Sequence, residues 1–196
     1  MEFSKFELYD LINRPGPLWL PHADLRGAAL VDVNLAAAVL EGADLHGATL
    51  TRADLRGANL RQANLGESNL VQVNLSEANL EQADLRAATL FKPDLSKANL
   101  ASADLTGADT VEAKLGSANL SGANLTRANL TLADLSFANL AADLCDADLR
   151  GADLRGAVLH GPDYLEQHAS HAKYNQGTKW PEGFDPVKAG AELVSS

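Results

Sequence analysis

Residues 43–55 read Ala43-Asp44-Leu45-His46-Gly47-Ala48-Thr49-Leu50-Thr51-Arg52-Ala53-Asp54-Leu55. A small residue, a polar residue, leucine and two variable residues make one phrase of five, and outward from here the phrase repeats in both directions. Leucine stands at every fifth position from Leu25 to Leu140, with Thr110 the single lapse. Alanine precedes it by two places except at Val33, Ser68, Val73 and Pro93. A helix needs apolar residues at i, i+3, i+4 and i+7, and a flat strand needs strict alternation. A period of five satisfies neither. If Ala and Leu point inward, the residue between them points out, and the two residues after Leu must turn the chain. Each phrase is then one short side and one corner of a coil. Glycine at many second-corner positions (Gly27, Gly42, Gly47, Gly57, Gly107, Gly122) suits a bend that uses positive φ. So regular a short period is a solenoid.

The coil length is readable because residues stacked on one side recur at that interval. Taken every twenty residues, the position before leucine gives Asn59, Asn79, Asn99, Asn119 and Asn139, an unbroken asparagine column. Another column reads Asp24, Asp44, Asn64, Asp84, Asp104, Asn124. Four phrases to the coil are therefore expected. Register slips after Leu140, which is followed by Leu144; the five-residue step resumes at Leu149, Leu154 and Leu159 and fades at Tyr164. About seven coils at strand spacing make a rod of roughly 35 Å.

The phrases resemble the pentapeptide repeat family, whose motif is A(D/N)LXX, from about Pro21 to Tyr164. The resemblance implies an all-β solenoid, a right-handed quadrilateral β-helix with leucine and the preceding small residue inside. Handedness comes from the resemblance alone.

The chain has 196 residues, a formal net charge of −10 and one cysteine, Cys145. This is one domain's worth of chain, and the repeat leaves no room for a second core. Nonspecific nucleic-acid binding needs a basic stripe, which an acidic chain does not offer. A lone cysteine excludes an internal disulfide and fits a reducing compartment. Glu2, Glu7 and Asp10 stand where a signal peptide would need basic and then apolar residues. No apolar run approaches membrane length. A cytoplasmic protein is expected.

Residues 1–20 are expected to form an N-terminal helical cap. Ser4 and Glu7 have the form of a capping box, Phe3 and Leu8 of a hydrophobic staple, over a helix at about Lys5 to Ile12. Leu18-Trp19-Leu20 would join the same plug over the first coil's open end. Residues 165–196 form the tail, in which Asp185 as N-cap and Pro186 at the first helical position predict a closing helix over about Val187 to Leu193. Tyr174, Trp180 and Phe184 would seal the last coil. This tail resembles one common on cyanobacterial pentapeptide repeat proteins.

Inside the rod, Pro93 is expected to lose a ladder hydrogen bond and to mark an irregular coil with Phe91 and Lys92. Thr110 needs a partner for its hydroxyl. The missing corner residue at Ala141-Ala142 should tighten or bend the solenoid.

Function must lie in the outward residues, because the interior is generic. Two surfaces stand out. One is an acidic column, Asp24, Asp44, Asp84, Asp104, Asp143 and Asp163, on a rod that carries 19 acidic and 11 basic residues between positions 24 and 163. Stacked carboxylates repel unless screened, yet Asp also bonds nearby turn amides. The other is a β-branched and aromatic stripe just after leucine: Val31, Thr51, Val71, Phe91, Val111 and Thr131, with Leu132 beside it and Phe137 on the neighbouring side. Strand propensity alone accounts for β-branched residues, while a contiguous exposed apolar patch marks a contact surface.

No nucleophile with a base, phosphate loop or Cys/His ligand set is present, and His168 with His171 lacks a third metal ligand. No cofactor, metal, membrane, nucleic acid or small-molecule substrate is expected. Two functions remain. The first is a non-enzymatic rigid scaffold for a protein partner or a second copy of itself. The second is a DNA mimic: some members of the resembling family occupy the duplex-binding surface of DNA gyrase with an acidic rod.

Overall fold

The computed structural model describes Asp10, residues 16–159 and residues 171–194. The expected helix at Lys5 to Ile12 lies, apart from Asp10, outside these residues, as do Tyr164, Asp163 and His168.

Why the phrase has five residues follows from where its five N–H groups go. In the phrase from Ala43 to Gly47, the Ala43 N–H closes the preceding corner on Leu40 O (3.0 Å). The Asp44 N–H reaches down to Ala23 O (2.9 Å), and the Leu45 N–H reaches up to Asn64 O (2.7 Å). The Gly47 N–H donates to Gly66 O in the coil above (2.9 Å). One donor is left, on the first corner residue, His46, and the Asp44 side chain takes it through Oδ1 (3.1 Å). A backbone donor without a partner is costly, so the Asp or Asn that most phrases carry between the two inward residues is a corner cap. The second corner residue holds a positive φ whether or not it is glycine: Gly47 at 64°, Arg52 at 56°, Leu132 at 59°. Closure from residue i to i+3 with positive φ at the third residue is the mark of a type II turn.

Parallel bridges join positions twenty residues apart, and this is a β-solenoid with four phrases between one rung and the next. The first face carries Asp24, Asp44, Asn64, Asp84, Asp104, Asn124 and Asp143. The second runs from Ala29 to Asp148, the third from Asn34 to Asp153, and the fourth from Trp19 through Val39 and the five asparagines. The shaft is filled by leucine and alanine, nearly all 3 % exposed or less. Burial of each leucine contributes about 1.5–3 kcal/mol before chain entropy.

Thr110, wholly buried, donates its hydroxyl to Asn129 O (2.8 Å), and buried Ser68 donates to Leu65 O (2.6 Å). Pro93 differs from expectation. At its position the N–H closes a corner and makes no rung, so the ladder passes it intact: Asp94 N–H to Val73 O at 2.9 Å and Lys92 N–H to Val111 O at 3.0 Å. Leu18-Trp19-Leu20 is not a plug but an in-out-in rung on Val39; the two leucines are buried and Trp19 is 75 % exposed.

At the slip, the corner after Leu140 keeps Ala141, whose carbonyl accepts Gly122 N–H (2.6 Å), and loses its second residue. Ala142 moves to the inward position, partly buried. Bridge spacing falls to nineteen, as at Asn124 with Asp143, and the rungs continue. Strand β1 (Asn139–Leu140) pairs in parallel with β2 (Val158–Leu159).

The ladder also outlasts the repeat. Strand β3 (Lys173–Tyr174) stacks on Asp153, and Lys179 stacks on Val158. Thr178 Oγ1 donates to Leu154 O (2.8 Å), and Trp180 sits between Tyr174 (ring centroids 5.5 Å) and Phe184 (4.8 Å). The helix expected over Val187 to Leu193 does not form. Asp185 Oδ1 does cap Val187 N–H (3.0 Å) and Lys188 N–H (3.2 Å), but the chain makes one turn. Gly190, at φ 76°, then directs it into β4 (Glu192–Leu193), which pairs in parallel with β3.

Candidate protein-contact surface

The outward rungs and the corners project side chains that the shaft does not need, and the two candidate surfaces are built there, the acidic column on the first face and the apolar stripe on a corner. On the acidic column every described carboxylate caps a corner or binds a neighbour. Asp24 accepts Arg26 Nε (2.9 Å) and Nη2 (2.6 Å), which draws its pKa down to about 2. Asp84 is held the same way by Arg86 Nε (2.9 Å) and Nη2 (2.5 Å), and its pKa falls through that hydrogen bond. Asp44 accepts His46 N–H (3.1 Å) and Asn64 Nδ2 (2.9 Å). Asp104 takes Thr106 N–H (3.0 Å) and Oγ1 (2.5 Å), and Asp143 takes Cys145 N–H (3.0 Å).

The same fork recurs off this column, at Asp54 with Arg56, Asp148 with Arg150 and Asp153 with Arg155. Its signal in the sequence is the triplet Asp-Leu-Arg, which puts the guanidinium on the first corner position, two residues past the carboxylate. Reading the columns by sign of charge alone misses it.

Between the first and second faces, Gly66 stands where neighbouring coils carry His46 and Arg86. Its missing side chain leaves a groove of about 470 Å³ walled by Asp44, Asn64, Asp84 and Glu67. Among the described residues, no group of three or more His, Cys, Asp or Glu is placed to hold a metal ion.

The stripe occupies the corner between the second and third faces. Val31 (42 % exposed), Val71, Phe91 (37 %) and Val111 stack there, Val71 and Val111 half-buried. Lys92 Nζ lies 5.1 Å from the Phe91 ring centre and 3.0 Å from Glu112 Oε2. Leu132 stands one position further round the same corner, 58 % exposed, and Phe137 on the next corner, 69 % exposed, with exposed Asp134 on the face between them. Both hold positive φ, 59° and 58°. Each rests on a glycine of the next coil: a Cβ added to Gly151 would lie 2.8 Å from Leu132 Cδ2, and one on Gly156 2.5 Å from Phe137 Cδ1.

Fold and surface together define a β-solenoid protein whose chemistry lies in its corners and outward rungs. The chain belongs to the pentapeptide repeat family: the model for pentapeptide repeats (8 copies) matches residues 20–57, 53–90, 111–141 and 141–163. Among solved structures it is similar to HetL, a pentapeptide repeat protein involved in heterocyst differentiation regulation from the cyanobacterium Nostoc sp. strain PCC 7120. Identity is 35 % and the TM-score 0.61, over 89 % of this chain and 73 % of that one. Rfr23, a pentapeptide repeat protein from the cyanobacterium Cyanothece 51142, is 33 % identical with a TM-score of 0.52, over 53 % of this chain and 85 % of that one. QnrB1, a plasmid-mediated fluoroquinolone resistance protein, superposes with a TM-score of 0.76 over 91 % and 90 % of the two chains. At 19 % identity that likeness is one of fold. No curated protein matches the sequence.

Proposed function

We propose that the chain is a non-enzymatic scaffold in the cytoplasm, a right-handed four-sided rod with capped ends, which docks a partner protein on the corner carrying Val31, Val71, Phe91, Val111 and Leu132. The observation that carries the reading is Leu132. Apart from Phe137, the other positive-φ second corners of the repeat hold glycine, alanine or a polar residue, whereas a leucine held at φ 59° and more than half exposed contributes nothing to the shaft. With Phe91 on the same corner it forms two apolar anchors on a rigid edge. HetL, at 35 % identity, supports a regulatory setting for such a rod.

The test is affinity capture on immobilised wild type beside Leu132→Asp and Phe91→Asp. A partner retained by wild type and lost by both variants, with their thermal midpoints unchanged, supports the corner as its dock. A partner retained equally by all three removes the corner from the interface.

The second reading is mimicry of duplex DNA toward gyrase, favoured by rod shape and a net charge of −10. Arg26 and Arg86 lie directly on the column that would imitate phosphates, which ranks the mimic below the scaffold. Supercoiling by purified gyrase left untouched at low salt would remove it.

A further inference from the structure

Two successive phrases, residues 128–132 and 133–137, end in a large apolar residue, Leu132 and Phe137. In the coil above, the two phrases that stack on them end in Gly151 and Gly156. Each knob lies against its glycine, where an added Cβ would come within 2.8 Å of Leu132 Cδ2 or 2.5 Å of Phe137 Cδ1. Both side chains are thus held against the coil above while staying mostly exposed. They flank one rung of the third face, Ala133-Asp134-Leu135, whose inward residues are buried and whose carboxylate is exposed. That rung is three residues long, so the knobs stand roughly 10 Å apart on the two edges of one side.

Charge on this part of the face is paired, with one exception. Residues 111–117, 131–137 and 150–156 carry Glu112, Lys114, Asp134, Arg150, Asp153 and Arg155. Glu112 meets Lys92 (3.0 Å), Lys114 faces Asp94 (3.7 Å), Arg150 holds Asp148 (2.5 Å) and Arg155 holds Asp153 (2.5 Å). Asp134 accepts Ser136 N–H through Oδ1 (3.0 Å), and no cation among the described residues lies within ion-pair distance of it. Arg155, committed to Asp153, feels Asp134 only at longer range. An unmatched carboxylate therefore stands between two apolar knobs.

We propose that the third face at this coil docks a basic amphipathic helix of a partner protein, with an apolar side chain on each knob and a lysine or arginine between them on Asp134. Helical residues at i and i+7 lie about 10.5 Å apart on one face, and those at i+3 or i+4 fall between them. An extended strand fits less well, since same-face residues two apart span about 7 Å and those four apart about 13 Å. The sign of the central residue follows from charge complementarity: a cation matches Asp134, whereas a carboxylate meets it on a rod already of net charge −10. A second copy of this chain, equally acidic, is disfavoured for the same reason. The proposal rests on the scaffold reading in that both use Leu132, but it carries the contact away from Phe91 and across to Phe137.

Selection of random twelve-residue peptides, displayed on phage, against the immobilised full chain tests the proposal. Wild type should enrich peptides with apolar residues seven apart and Lys or Arg three or four places after the first. The strongest of these, synthesised, should bind Leu132→Ser and Phe137→Ser at least about tenfold more weakly, with circular dichroism unchanged. Asp134→Lys should weaken it as much, and selection on that variant should turn to Glu or Asp at the central position. A lysine suits the rung, since Lys114 stands at the equivalent place one coil below. Should the lysine variant fail to fold, Asp134→Asn keeps an acceptor for Ser136 N–H and should abolish the preference for a central cation. Failure to enrich any peptide overturns the proposal, as do enriched peptides without the cation or binding indifferent to the Asp134 variants. Peptides lost by Phe91→Asp but kept by Phe137→Ser also overturn it and leave the scaffold reading standing. Peptides lost by Phe137→Ser and kept by Phe91→Asp sustain it and remove the rest of the corner from the dock.

Discussion

A single side chain per phrase decides whether the corner closes without a stranded donor, and a single second-corner residue decides what stands on the surface. Glycine is not required by φ alone at these corners, since twenty described non-glycine residues hold positive φ, most of them second corner residues. Gly156 differs because Phe137 occupies the space its Cβ would need. Gly47, at φ 64° with nothing within 4 Å of that space, isolates the conformational cost. Gly47→Ala should therefore lower stability by about 1 kcal/mol, the cost of an L-residue in the left-handed region. Gly156→Ala should cost more, and the excess should vanish in a Phe137→Ala background, with a coupling of about 1 kcal/mol in a double-mutant cycle read by urea unfolding. Zero coupling would mean that the Phe137 ring turns aside freely.

At the scale of one rung and its corner, the Asp-Leu-Arg fork links sequence to acid tolerance. The arginine hydrogen bond holds the carboxyls of Asp54, Asp84 and Asp148 below their ordinary value near 3.8. A carboxyl depressed in the folded state contributes stability in full above its unfolded pKa and loses it as pH falls through the folded one. Arg86→Leu should therefore lower the thermal midpoint only slightly near pH 7, since Arg86 is mostly exposed and solvent screens the pair. The gap to wild type should close as pH drops from about 4 toward 2. A gap unchanged at the acid end would show that the fork adds no stability. The repeating rungs were legible because each phrase restates one unit: in, out, in, turn, turn. The last rungs were not. Ala172-Lys173-Tyr174 and Thr178-Lys179-Trp180 keep the in-out-in order but exchange leucine for larger rings and are separated by a three-residue corner, so the period of five vanishes. The cap signals at Asp185 and Pro186 are real, yet Gly190 ends the turn they start before a helix develops. On the surface, Leu132 and Phe137 could be placed at corners from sequence. Their seats on Gly151 and Gly156 could not, because the slip changes the pairing interval from twenty to nineteen.

Across the whole rod each coil touches only the coil above and the coil below, so stability is carried by nearest-neighbour layers and opening should start at the ends. The C-terminal end is closed by Tyr174, Trp180 and Phe184 stacked over the last leucines. Two amides report on that closure: Leu154 N–H, held by Lys173 O (2.7 Å), and Leu159 N–H, held by Lys179 O (2.8 Å). Mid-rod, Leu75 N–H and Leu80 N–H sit in coils covered on both sides, bonded to Asp94 O and Asn99 O at 2.7 Å each. Trp180→Ala removes the central ring of the closing layer and should cost on the order of 2 kcal/mol, less than a fully buried tryptophan because Trp180 is only partly covered. In native-state hydrogen exchange that loss should appear as faster exchange at Leu154 and Leu159 while Leu75 and Leu80 keep their protection. If all four amides lost protection equally, the rod would be opening as one cooperative body, and a layer-by-layer account of its stability would be wrong.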